Sequence, residues 1–145
     1  MLSIPCKYAI RSLILMTSKR KEQEIFKVSD IAEELDITKY YLAKILQKLT
    51  DAKYLSSFKG PNGGLKFLKS PEVINLDEVI QLYEGKKYLK DCYLGLPGCK
   101  NFDKCPVGLG WIEKKNELEE KFKSLTFAQI IKNVGNEETI LKLIK

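Results

Sequence analysis

The sequence predicts a mainly α-helical fold with a small two-stranded β wing: a winged helix-turn-helix followed by a long dimerisation helix. Three observations lead there. Two short amphipathic segments, 29–35 and 38–51, are separated only by a tight turn. The glycine-rich stretch Lys59-Gly60-Pro61-Asn62-Gly63-Gly64 follows the second of them as a hairpin loop. Further on, Trp111, Leu118, Phe122 and Leu125 recur at near-heptad spacing in a highly charged segment.

A chain of 145 residues is long enough for one cored domain, or for a small domain with an appended oligomerisation element. The expected division is 1–85 for the winged helix-turn-helix, 86–105 for a cysteine-bearing loop, and 106–145 for the dimerisation helix and a C-terminal tail.

Ser3 is placed to cap the first helix, with Pro5 in its first turn, and the helix runs to about Ser18. Tyr8, Ala9, Ile10, Leu13, Ile14, Leu15 and Met16 make it apolar almost all round. Such a helix is covered from more than one side, by its own domain and, as a further candidate, by a second subunit. Phe26-Lys27-Val28 then leads to Ser29, the expected cap of a helix carrying Ile31, Ala32 and Leu35. Asp36-Ile37 turns the chain, and Thr38 caps a second helix to about Asp51.

In that second helix Leu42, Ile45, Leu46 and Leu49 follow the i, i+3, i+4, i+7 pattern and face the core. The opposite face carries Tyr40, Lys44 and Gln47, flanked by Lys39, Tyr41 and Lys48. A basic, polar and aromatic face suits a DNA major groove, with the N-terminal residues nearest the base edges. Residues 54–58 and 65–68 are the strands of the wing. Lys59 and Lys66 are placed there to touch phosphate or enter a minor groove.

Ser70-Pro71 ends the hairpin, and Asn75 with Glu78 forms a capping-box pattern before a helix from Leu76 to Glu84, stopped at Gly85. Gly95, Pro97 and Gly98 argue against a continuous helix in 86–105. Pro106 is expected to open a long helix to about Leu125, its apolar seam interrupted by Lys115. A seam this narrow on a charged helix buries itself against a symmetry mate, the alternative being its own domain. Residues 126–145 read as one or two short amphipathic helices.

The formal charge of +6 is one-sided: residues 1–69 hold 13 Lys/Arg against 7 Asp/Glu, whereas residues 70–145 hold 12 against 12. The excess points to a polyanion, double-stranded DNA, as partner of the N-terminal half. No apolar run approaches the roughly 18 residues of a spanning helix, and the opening lacks a signal-peptide pattern, so a cytoplasmic protein with no membrane partner is expected. In that compartment thiols stay reduced, and clustered cysteines favour metal or redox chemistry over disulfides.

Three of the four cysteines share the spacing Cys92-x6-Cys99-x5-Cys105. Soft thiolates converging from a loop suit a metal or an iron-sulfur cluster. Lys86, Lys87, Lys90, Lys100 and Lys104 surround them and favour thiolate over thiol. A catalytic role finds no support, since the chain has no histidine, no nucleophile elbow and no phosphate-cradling loop.

The chain resembles the Rrf-two family of bacterial winged-helix regulators over nearly its whole length. The residues that carry the resemblance are LSIPCKYAIRSL, ITKYYLAKILQKL, KGPNGGLKF, CYLGLPGC and CPVGLGW, in that order. The resemblance implies a homodimeric transcriptional regulator, a repressor, that binds a palindromic operator through helix 38–51 and the wing. Thr38, Tyr40 and Tyr41 lie where the family contacts DNA from the start of its recognition helix. Lys59 stands where many members place a wing arginine, and lysine lacks the planar fork of that residue. Ala43 stands where some members carry an acidic residue that tunes sequence preference.

The cysteine spacing matches the cluster-binding members, which implies a cluster (2Fe-2S or 4Fe-4S) that senses redox state, nitric oxide or iron-sulfur status. Two positions that supply a fourth ligand in different branches are Gly108 and Lys7 in this sequence, and neither is suited to the role. Cys6 is the nearest soft donor; Asp91, Asp103, an exogenous thiol or an open iron site are the alternatives. Two other readings remain: a cluster-free regulator using Cys92, Cys99 and Cys105 for zinc or thiol chemistry, and a small electron-transfer protein.

Overall fold

Among the described residues, seven helices and one antiparallel hairpin make up the computed structural model, which describes residues 2–86, 88–89, 92, 96, 105, 107–108 and 110–145. Helix α1 (Ile4–Lys19) starts where expected, with the Ser3 hydroxyl accepting from the amide of Cys6 at 3.4 Å. Its apolar surface is covered on several sides, since α1 packs against α3, α4, α6 and α7. The cover comes from the chain's own helices, two of them from its C-terminal tail.

Helix α2 (Val28–Glu34) corrects one expectation: Ser29 lies inside it and Lys27 stands at the cap. The cause is tertiary. Phe26 forms an antiparallel bridge with Leu65, its N–H donating to the Leu65 carbonyl at 2.8 Å and its carbonyl accepting from Leu65 at 2.7 Å. That bridge holds the chain extended up to Lys27, so the helix begins at once, and the Ser29 hydroxyl turns to the Asp30 carboxylate at 3.1 Å.

Helix α3 (Lys39–Asp51) matches its expected bounds, with the Thr38 hydroxyl accepting from the Tyr41 amide at 3.4 Å. Leu42, Ile45, Leu46 and Leu49 are all buried. Strands β1 (Leu55–Phe58) and β2 (Gly64–Phe67) pair from Leu55 with Phe67 to Phe58 with Gly64. Gly60 adopts a φ of 104°, and a Cβ at Gly63 would run into the carbonyl of Phe58. The hairpin therefore uses its glycines for fold as well as for any close approach.

Helix α4 (Leu76–Glu84) carries the expected capping box: Asn75 accepts from the Glu78 amide at 2.8 Å, and Glu78 accepts from the Asn75 amide at 3.3 Å. Gly85, at φ 88°, stops it. Helix α5 (Trp111–Ser124) corrects a second expectation, because it does not start at Pro106. Pro106 lies outside the described residues, but Val107 and Gly108 are in turns and Gly110 has φ 77°, which no continuous helix permits.

The seam of α5 is also split. Lys115 is buried, with its ammonium 5.4 Å from the centre of the Trp111 ring, whereas Leu118 is 42% exposed. Helix α5 packs on α4. The tail forms two short helices, α6 (Phe127–Val134) and α7 (Glu137–Ile144), as expected. Phe127, Ile140 and Ile144 enter the same core as Leu13, Leu42 and Leu49. Between them, Leu76 donates to the Leu125 carbonyl at 2.9 Å and Phe127 to that of Ile74 at 3.1 Å, fastening the start of α6 beside the start of α4. Among the described residues, no helix is long and apolar enough to cross a membrane.

Candidate nucleic-acid interface and cysteine loop

The core side of α3 fixes what its other side offers. With four aliphatic residues buried, Thr38, Lys39, Tyr40, Tyr41, Lys44, Gln47 and Lys48 are all exposed, and Tyr40 at 84% is nearly bare. That ring adds nothing to the core and is open to a partner, beside the exposed lysines of the same helix. Gln47 bonds Asp51 one turn on, at 2.8 Å. Tyr41 stands edge-on to Tyr8 of α1, with ring centres 6.2 Å apart, and the Arg11 guanidinium lies 5.4 Å from the Tyr8 ring centre. Lys59 is exposed at the hairpin loop, while Lys66 on β2 is half-buried and paired with Glu24 at 2.5 Å. Of the two wing lysines, Lys59 has the charge less engaged within the fold.

Behind this face is a cleft of about 260 Å³ whose lining includes Ser3, Tyr41, Lys44, Lys48 and Tyr83. The Tyr83 hydroxyl, from the last turn of α4, donates to the Ile45 carbonyl in α3 at 2.6 Å. Lys48 lies over the same ring, its ammonium 5.2 Å from the centre. Burial, with the nearby Cys6 as a lesser contribution, raises the Tyr83 hydroxyl well above the ordinary tyrosine range, so it stays a donor. The next residue, Glu84, accepts from the Ser3 amide at 2.9 Å and from its hydroxyl at 2.5 Å. The end of α4 thus ties α3 to the start of α1. Tyr83 continues the stripe of Leu76, Val79 and Ile80 at i+7, so periodicity reads it as one more core residue and says nothing of where its hydroxyl reaches.

Just beyond Gly85, the Tyr88 hydroxyl donates to Asp77 at 2.8 Å, and Asp77, buried in the first turn of α4, also accepts from Gln81 at 2.6 Å. Burial and then this carboxylate bond hold Tyr88 in its neutral form. Cys92 and Cys105 are half-buried, and Lys86 is exposed. Cys99, Lys87, Lys90, Lys100, Lys104, Asp91 and Asp103 lie outside the described residues. No group of three His, Cys, Asp or Glu placed to hold a metal occurs among the described residues.

Cys6 contrasts with the loop cysteines. It is fully buried in the first turn of α1, and its thiol is pushed up to about 12, first by burial and then by the Glu84 carboxylate beside it. With no metal beside it, Cys6 rests as a thiol. Of the two positions that the family resemblance pointed to for a fourth ligand, Lys7 is exposed and Gly108 is buried. The three loop thiols have the donor chemistry of a cluster or a thiophilic metal, and Cys92 and Cys105 are partly accessible to one.

A helix-turn-helix with an exposed basic face, followed by a glycine-turned wing, defines a DNA-binding transcriptional regulator. A family model described as "Rrf2: Iron-dependent Transcriptional regulator" matches residues 2–133, and the chain belongs to that Rrf2 family. The NsrR regulator of Bacillus licheniformis is 35% identical over 88 residues, 61% of each chain, which is less than two thirds of that relative's length. The NsrR regulator of Oceanobacillus iheyensis is 29% identical over 140 residues, covering 94% of this chain and 91% of its own. Among solved structures, the global cysteine regulator CymR of B. subtilis superposes with a TM-score of 0.75 at 19% identity, covering 93% of this chain and 98% of its own. T. potens IscR does so at 0.68 and 21%, covering 93% and 88%. The family is one of regulators rather than enzymes, which sets the electron-carrier reading aside.

Proposed function

We propose that the chain is a cytoplasmic, homodimeric repressor whose α3 and wing read a palindromic DNA operator and whose cysteine loop supplies the signal. The nearly bare Tyr40 among Lys39, Lys44 and Lys48 on α3 carries the reading, because such a face has a use in a groove and none in the core. Thr38, Tyr40 and Tyr41 are the base-edge and sugar contacts of this proposal; Lys39, Lys44, Lys48 and Lys59 meet phosphate. Gln47 and Lys66 contribute once they leave Asp51 and Glu24. Leu118 and Ile112, both exposed on α5, form the surface that meets a second copy.

In this reading Cys92, Cys99 and Cys105 hold an iron-sulfur cluster, as thiolates favoured by the lysines of the loop. The cluster supplies a centre that oxidants, nitric oxide or iron scarcity alter. Burial makes Cys6 the least suitable fourth donor, and leaves Asp91, Asp103, an external thiol or an open iron. A second reading, thiol or zinc chemistry without a cluster, draws on the partial exposure of Cys92 and Cys105.

Anaerobic purification with iron and sulfide analysis and a visible spectrum tests this directly. The expected result is a coloured protein with iron and sulfide, unchanged in Cys6→Ala and lost in Cys92→Ala or Cys105→Ala. A colourless protein that takes up neither on reconstitution overturns the cluster and leaves the thiol reading.

A further inference from the structure

We propose that Tyr83 is a positioning residue: it sets the pose of α3 and passes the state of the cysteine loop to it, an inference that rests on the DNA-reading role given to α3 above. The core contacts of α3 are aliphatic and non-directional, so they tolerate small slides and rotations of the helix. The other side-chain hydrogen bonds described for α3 stay local, namely the Thr38 cap, Gln47 to Asp51, and Thr50 to the Leu46 carbonyl at 3.2 Å. Tyr83 instead reaches across 38 residues of sequence to the middle of α3, at the Ile45 carbonyl. Its ring lies under Lys48 of the exposed face. One side chain therefore fixes α3 in two ways, by a directed bond to its backbone and by a cation over its ring.

The other end of the link lies on the loop side. Tyr83 is in the last turn of α4, which Gly85 ends. Three residues past Gly85, Tyr88 reaches back to Asp77 at the other end of α4. A shift of the loop that pulls Tyr88 acts on α4, and α4 acts through Tyr83 on Ile45 and Lys48. Glu84, bonded to Ser3, braces the same turn against α1. These are contiguous contacts between rigid elements, the kind of path that carries coupling between sites.

The test compares the full-length wild type, Tyr83→Phe and Tyr88→Phe, each with its accessible thiols free or blocked by iodoacetamide. The DNA probe is the duplex that the wild type selects from a random-sequence pool, and a second readout is amide hydrogen exchange across 39–51. Blocking is expected to change wild-type affinity by about tenfold and to alter exchange in α3. In Tyr83→Phe, which keeps the ring, the melting temperature should drop by only about 2–4 °C. Its affinity ratio should fall towards one, and its α3 exchange should stop responding to the loop. Tyr88→Phe should weaken the response from the other end.

A Tyr83→Phe response equal to that of the wild type, or a wild-type α3 indifferent to blocking, overturns the inference. If no protein selects a duplex while the exchange response persists in the wild type and is lost in Tyr83→Phe, the DNA-reading role falls and the Tyr83 link stands.

Discussion

Arg20, at the C-cap of α1, grips Glu72 with both guanidinium nitrogens, at 2.7 and 2.5 Å, while Ser70 donates to the same carboxylate. The Arg20 bond, and then that of Ser70, hold the Glu72 carboxyl at about 2, against an ordinary 4.5. A carboxyl depressed in the folded state adds stability that is fully present above pH 4.5 and is lost as the pH falls through about 2. Half of the Glu72 side chain is exposed, so solvent screening limits the pair to about 0.2–1 kcal/mol. Urea unfolding should therefore find Glu72→Gln less stable than wild type by about 0.5 kcal/mol at pH 7, with the gap narrowing by pH 3. An equal gap at both pH values would mean that the carboxylate's charge contributes nothing.

At the scale of elements, α6 and α7 hold the fold together. Ile140 and Ile144 are buried against α1, so Ile140→Ala should cost about 2–4 kcal/mol, read as a lower urea midpoint with an unchanged slope. A loss below about 0.5 kcal/mol would show that α7 is only loosely held.

Where a signal is local, the sequence carried it. Thr38 and the Asn75–Glu78 box set the starts of α3 and α4, and the four aliphatic residues of α3 set which of its faces is bare. Where the deciding contact is distant, it did not. The bridge from Phe26 to Leu65 moved the start of α2, the left-handed Gly110 delayed α5, and Lys115, which spacing marks as an interruption of the seam, is buried while Leu118 of the seam is exposed. The site was legible to the same extent. Its exposed lysines and tyrosines follow from periodicity, whereas the engagement of Lys66 by Glu24, the burial of Cys6 and the reach of Tyr83 depend on how elements pack.

On the scale of the whole molecule, the charge excess of residues 1–69 coincides with the half that carries α3 and the wing, while Cys92, Cys99, Cys105 and α5 occupy the balanced half. This distribution supports the proposed dimer, in which two basic heads meet DNA and the remainder joins the copies and takes the signal. The most direct test is the salt dependence of binding to the selected duplex, for wild type and for Lys39→Ala/Lys44→Ala. The wild type should give a steep linear fall of log affinity with log salt. The double variant should bind every sequence more weakly, with a slope shallower by about one for each phosphate that a lysine no longer neutralises, so by up to about four in a dimer. An unchanged slope would contradict the placement of α3 on DNA.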